Sequence, residues 1–477
     1  MVLKLKKLLT IENLLLFSII ICPLLDIASF LFRKKFETNY SVSTFIRPII
    51  PMVVFTYLFF KNKFKINKIG IIALYMLYAI IHIFLYYKMT VGCTFGSFIH
   101  EAQYIVNYSF MMLNLYIFKN IFSYKYNAKL SYAVLISLGI YIVSIYISII
   151  TKTSSTTYIE GIGYKGWFES GNSISSILVL STFIIMSFVM KIQNSKVKLI
   201  TMIILALTGI YLVLLIGTRV GLIGFILAVL CFIIAQIYEK IRKKVSINKR
   251  NFIILLSILV LLIILIITAG SVTLKRRQHL RNMQSTIIDA ATGEQSHLTG
   301  DLTAIRNKIV NNELEEGFMT DAQKKSILDL YDVAKKYNIS NTNTRMQQLI
   351  YHCVLVKNQK NLLLILFGNG YLINTNELVL EMELPAFLLN FGVIGFCLYI
   401  LPFIMILFSA LNILVKRNKK IDTEFIMLLL TVTLTYILST LSGYTFFNSS
   451  CMIIIIVSNV LLENKTKILE EEKDCKK

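Results

Sequence analysis

Apolar residues run along this chain in long blocks, unlike the one-sided stripe of a soluble amphipathic helix. Residues 252–274 and 425–462 contain no charged side chain, and each block exceeds the ~20 residues that span a bilayer as a helix. Twelve such blocks lie near residues 11–32, 42–60, 69–87, 98–118, 130–151, 173–190, 199–216, 220–238, 252–271, 384–415, 423–441 and 445–462. The pattern predicts an all-α, polytopic membrane protein with about twelve transmembrane helices. It also predicts the organisation: spans 1–9 within residues 1–271, a hydrophilic loop over 272–383, spans 10–12 within 384–463, and a tail over 464–477.

The hydrophilic loop carries 13 Lys/Arg against 12 Asp/Glu. Thr320-Asp-Ala-Gln323 is a capping-box pattern, and Ile327, Leu328, Tyr331 and Ala334 recur on one face of the helix it would start. A second helix is predicted from near Thr344 through Met346, Leu349, Ile350 and Cys353 to about Val356. The apolar faces of these helices are expected to lie on the membrane domain or at the lipid interface. A segment this long between spans is usually functional, so the chemistry is expected here.

Composition narrows the class. The chain is 56% hydrophobic and 16% charged, against about 25% charged in soluble proteins, which excludes soluble enzymes, disordered proteins and disulfide scaffolds. The net charge of +23 would suit nucleic acid, but the cations cluster in alternate connections. Lys240, Arg242, Lys243, Lys244, Lys249 and Arg250 share one of them. Lys and Arg retained on the cytoplasmic side set topology, so both termini are expected to be cytoplasmic, the large loop external, and no nucleic-acid partner is expected. Lys4, Lys6 and Lys7 precede an apolar run too long for a signal peptide, which reads as a retained first span. Seven scattered cysteines show no CxxC or metal-ligand spacing.

The chain has no GxxxxGK[ST] phosphate loop, no HExxH and no GxSxG, so neither a metal nor another cofactor is expected. The candidates are polar residues in or beside spans: Asp26, Arg47, His82, His100, Glu101 and Arg219. Such residues are rare in membranes and tend to be functional, although those near span ends can simply snorkel. Gly217-Thr218-Arg219-Val220-Gly221 joins two spans with almost no loop. Its glycines allow a tight reversal, which would hold a planar guanidinium suited to phosphate at the outer face. Downstream lie Phe367-Gly-Asn-Gly-Tyr371, Glu381-Met-Glu383-Leu-Pro385 and Asn390-Phe-Gly392-Val-Ile-Gly395. Glu377, Glu381 and Glu383 approach an apolar span with no cation nearby in sequence, which suits a carboxylate to general-base work. The alternative is an acidic rim favoured by the helix dipole. Gly392 and Gly395 are expected to serve close helix packing.

With these residues the chain resembles the O-antigen ligase and O-antigen polymerase superfamily of bacterial polysaccharide assembly. The resemblance rests on the number of spans and the loop between spans 9 and 10. Its local marks are the Gly217-Thr218-Arg219 turn, Arg345 on a loop helix, Gly368-Asn-Gly370, and the pair Gly392 and Gly395. Family ligases commonly place a His-Asn pair eleven residues before the Gly-x-x-Gly. Here that position is Glu381, and the acidic pair looks more like Gram-positive members.

The resemblance implies a membrane-embedded, GT-C-like, metal-independent inverting glycosyltransferase at the outer face of the cytoplasmic membrane. Its donor would be a glycan on undecaprenyl pyrophosphate. It implies Glu381, Arg219 and Arg345 as catalytic residues, with Arg306, Arg47, Glu383, Gly368 and Gly370 in substrate binding. A polymerase of a capsule, exopolysaccharide or teichuronic-type polymer is expected, working among membrane lipids alongside a flippase and a chain-length regulator. Two alternatives stay open: ligase-type transfer of finished glycan to another acceptor, and a lipid-linked-oligosaccharide flippase or transporter. The latter should show corresponding broken helices in two halves, and no internal repeat is visible.

Overall fold

The computed structural model describes residues 10–37, 41–61, 66–89, 95–158, 161–243, 272–284, 296–370, 378–416 and 420–471. The predicted ninth span (252–271), Glu377 and the end of the tail lie outside the described residues.

The described apolar blocks are helical. In order they are α1 (Ile11–Phe36), α2 (Val42–Ile46), α3 (Ile49–Phe60), α4 (Ile66–Met89), α5 (Phe95–Ile121), α6 (Asn127–Ile150), α7 (Gly171–Val189), α8 (Ser195–Ile210) and α9 (Arg219–Lys243). A short hairpin of β1 (Ser155–Thr156) and β2 (Tyr164–Gly166) separates α6 from α7. The loop begins with α10 (Val272–Gln284) and continues through α11 (Gly300–Val310), α12 (Asp321–Lys336), α13 (Thr344–Gln359) and α14 (Leu362–Phe367). The chain closes with α15 (Glu383–Leu389), α16 (Gly392–Tyr399), α17 (Leu401–Lys416), α18 (Thr423–Leu441) and α19 (Ser449–Glu471). Among the described residues six helices are long and apolar enough to cross a membrane: α1, α6, α7, α8 with its continuation to Leu215, α9 and α18. The bent pair α16–α17 adds a seventh. The protein is therefore a polytopic helical membrane protein, with six to seven spans recognisable by length and composition.

The predicted tenth span, 384–415, is three helices. Between α16 and α17 the axis bends by 52° at Pro402, which has no N–H and whose ring clashes with the carbonyl four residues back. That carbonyl, Leu398 O, accepts a hydrogen bond from the Tyr75 hydroxyl instead.

The chain forms two compact units. The first comprises Met1–Lys63, Phe110–Arg276 and Phe403–Lys477. Its hub is α7, buried around its circumference along nearly its whole length, as a helix surrounded by others is. Gly224 of α9 lies so close to α7 that a Cβ there would stand 2.8 Å from the Val179 methyls. Several hydroxyls on α7 bond back to their own helix, as Ser175 does to Gly171 O at 2.7 Å and Thr182 to Leu178 O at 2.7 Å, which satisfies those donors where water is absent.

The second unit comprises Phe64–Ser109 and Arg277–Pro402. Thr320 caps α12 reciprocally as predicted, with Gln323 N–H donating to Thr320 Oγ1 (3.2 Å) and Thr320 N–H to Gln323 Oε1 (2.9 Å). Ile327, Leu330 and Ala334 of α12 close a core with Tyr351 and Leu355 of α13 and with Leu298 and Leu302, while Met346 and Cys353, on the face of α13 expected to meet the membrane domain or lipid, are exposed. Leu330, rather than Leu328, is the buried leucine of α12.

Candidate functional site

In the second unit, Arg345 Nε donates to Glu381 Oε2 at 3.0 Å. The two side chains are about one-third exposed. Gln348, one turn from Arg345 on α13, accepts the Glu381 backbone N–H at 3.2 Å. One face of α13 thus fixes both ends of Glu381. The expectation that these carboxylates have no cation close by holds in sequence and fails in space, because the loop helix brings Arg345 across 36 positions. Glu383 opens α15 and is fully buried, so it is not a solvated rim. Arg306 stacks on Tyr331 within the loop helices, 3.7 Å from the ring centroid.

The glycine motifs form a backbone crossing beneath the loop. Asn369 N–H donates to Leu389 O (3.2 Å) and Gly370 N–H to Asn390 O (2.9 Å). A Cβ at Gly368 would stand 2.0 Å from Asn390 O, and one at Gly392 would stand 2.4 Å from Leu366 O. Both residues also have positive φ, +91° and +71°, so glycine is required twice over. Two residues one turn apart on α4 hold this crossing from below. Tyr78 donates to Phe391 O (2.6 Å) and His82 Nδ1–H to Phe367 O (2.6 Å). His82 Nε2 meets Glu101 Oε1 at 2.8 Å, with both side chains fully buried. Neither the pairing nor its purpose is visible in sequence, where His82 and Glu101 stand on different helices.

In the first unit, Gly217 takes φ +82° and Thr218 caps α9, accepting Gly221 N–H at 3.1 Å. Arg219 is the first residue of α9 and is exposed. A cation at the positive end of a helix is unfavourable by itself, and a bound anion would offset it. A π-helical turn, Tyr211–Leu215, precedes this reversal. Arg47 is committed internally: its guanidinium bonds Asp26, Ser449 and Ser450. Asp26 in turn accepts from Tyr141 (2.7 Å) and Ser450 (2.6 Å). The polar residues of α1, of the turn after α2 and of α19 form one staple within the apolar bundle. No group of three or more His, Cys, Asp or Glu side chains among the described residues is placed to hold a metal ion.

A bundle of membrane spans with a helical loop that pairs an arginine with a carboxylate defines a polytopic helical membrane protein. The family model for O-antigen ligase like membrane proteins matches residues 9–467, so the chain belongs to that family. Its members are glycosyltransferase-like membrane enzymes that act on lipid-linked glycans. No curated protein and no solved structure matches the chain.

Proposed function

We propose that the protein polymerises undecaprenyl-pyrophosphate-linked repeat units of a surface polysaccharide, of capsule, exopolysaccharide or teichuronic type, at the outer face of the cytoplasmic membrane. The observation that carries this reading is the Arg345–Glu381 pair. It joins a binder for an anionic leaving group to a candidate base on one loop helix. A diphosphate arriving at Arg345 competes for the guanidinium and releases the Glu381 carboxylate to act as a base. An acceptor sugar hydroxyl then attacks the anomeric carbon and passes its proton to Glu381. The bond from that carbon to the pyrophosphate oxygen breaks, with inversion, and undecaprenyl pyrophosphate leaves. Arg345, with Arg306, stabilises its charge. A charge-assisted hydrogen bond contributes about 1.5–3 kcal/mol, so two or three supply several powers of ten in rate. In this GT-C-type scheme arginines stand where other transferases use a divalent cation. A flippase delivers the donor and a chain-length regulator limits the product.

The test is the length distribution of surface polysaccharide and lipid-linked intermediates in a strain lacking the protein. Complementation uses wild type, Arg345→Ala or Glu381→Gln. Single repeat units should accumulate on the outer leaflet and be rescued by wild type alone. Glu381→Gln should lose about 100-fold or more, the scale of general-base catalysis. Finished polymer left on its lipid carrier would mean a ligase, and units trapped on the inner leaflet would mean a flippase. Full activity of either variant would remove the mechanism.

A further inference from the structure

Tyr75, Tyr78 and His82 stand on one face of α4, and each donates to a backbone carbonyl at an end of α14 or α16. Tyr75 donates to Leu398 O, Tyr78 to Phe391 O at 2.6 Å and His82 Nδ1–H to Phe367 O at 2.6 Å. Tyr86, one turn further along, packs against Gly370, where a Cβ would stand 2.2 Å from its ring. Helix ends leave carbonyls without partners, which an apolar environment cannot satisfy. The face of α4 answers them in register.

The third of these positions is built differently from the first two. A tyrosine hydroxyl serves Leu398 and Phe391, whereas Phe367 O is met by an imidazole that is itself clamped. Glu101 of α5 takes the other ring nitrogen at 2.8 Å, and both side chains are fully buried. Burying two ionisable groups is costly, and apolar residues in their place are often as stable, so stability alone does not account for the pair. Contacts at both nitrogens fix the ring's tautomer and rotation, and hence the place of the carbonyl it holds.

That carbonyl immediately precedes Gly368 at the backbone crossing. On the other strand of the crossing, Leu389 accepts the Asn369 N–H and is the last residue of α15. This seven-residue helix runs about 10 Å back to Glu383, two residues after Glu381. Its Ala386 and Phe387 are fully buried, with the Phe387 ring 4.9 Å from that of Tyr108. A shift of the crossing therefore moves α15 as a piece and Glu381 with it, while Arg345 stays with α13.

We propose that His82, oriented by Glu101, is a positioning residue for Glu381: it sets the place of the crossing and, through α15, the approach of the Glu381 carboxylate to Arg345. The inference rests on the reading of Glu381 as the base of a transferase.

The test is a double-mutant cycle on the full-length chain in lipid nanodiscs. The substrate is the lipid-linked single repeat units extracted from the strain lacking the protein, and kcat and KM are measured for their elongation. Glu101→Leu should lower kcat about 10- to 100-fold, the scale of a small misplacement of a reacting group, with KM within about twofold. Glu101→Gln, whose amide can keep the contact with Nε2, should retain most of the rate. In a Glu381→Gln background, Glu101→Leu should cost little more, because residues that act as one unit are not additive. If Glu101→Leu does not fold, Glu101→Asp, which shortens the reach to Nε2, decides by the same cycle. Unchanged kcat in these variants, or a full further loss in the Glu381→Gln background, overturns the inference and leaves the transferase reading intact. Full activity of Glu381→Gln alone overturns both.

Discussion

At the scale of single residues, the motif glycines are the most constrained. Gly368 combines φ +91° with a carbonyl oxygen 2.0 Å from where a Cβ would stand, and the neighbour is backbone, which cannot rotate away. Gly368→Ala should therefore cost several kcal/mol through strain and overpacking, seen as a large fall in thermal midpoint in detergent. Gly70→Ala, which meets nothing within 4 Å and lies within helix α4, should be neutral or stabilising by up to about 1 kcal/mol. Equal behaviour of the two variants would remove the crossing as the reason for the motif. The glycines and Glu381 can be picked out in the sequence by their type and surroundings, and Arg345 only through the family resemblance. Their partners cannot be. His82 and Glu101 are joined only by the packing of separate elements, and no local spacing encodes that. Arg47 is the converse case: it stands out in sequence, and the fold uses it to tie Asp26 to Ser449 and Ser450.

At the scale of elements, the loop helices are legible through their caps and less so through their faces. The capping box and the start of α13 follow from local chemistry. Where their apolar stripes are buried depends on each other, and the two stripes together make a core that neither predicts alone. That core contains a titratable group. His352 on α13 is wholly buried, donates Nε2–H to Leu378 O at 3.0 Å, and is held by burial at about 4, below its ordinary 6.5. The unfolded loop therefore binds more protons than the folded one between these two values. Its stability is full above pH 6.5 and declines as the pH falls towards 4, by about 3 kcal/mol at most. Limited proteolysis of the loop should accelerate from pH 7 to pH 5. In His352→Asn, which keeps a donor for Leu378, the added sensitivity should shrink. A variant as acid-sensitive as wild type would assign the effect to other groups. Independently of pH, Thr320→Ala should cost about 1 kcal/mol by removing the cap.

At the scale of the whole molecule, chemistry and topology have to agree. A donor flipped to the outer leaflet is reachable only if the loop bearing Arg345 and Glu381 is external. The charge pattern predicts this, because the cation-rich end of α9, with Lys240, Arg242 and Lys243, would resist translocation. Cys353 on α13 is a natural reporter of the loop, being exposed. Partial desolvation raises its thiol above the ordinary 9.0, so thiolate is scarce at neutral pH and labelling should quicken as the pH rises through 8 to 9. In a chain retaining Cys353 alone among its cysteines, a membrane-impermeant maleimide added to intact cells should label the loop at the higher pH. A chain whose single cysteine is Glu470→Cys, exposed near the end of α19, should label only after the membrane is opened. The opposite pattern would put the loop on the cytoplasmic side, away from the flipped donor. The Arg345–Glu381 pair would then need an inner-leaflet substrate, and polymerisation at the outer face could not be its function.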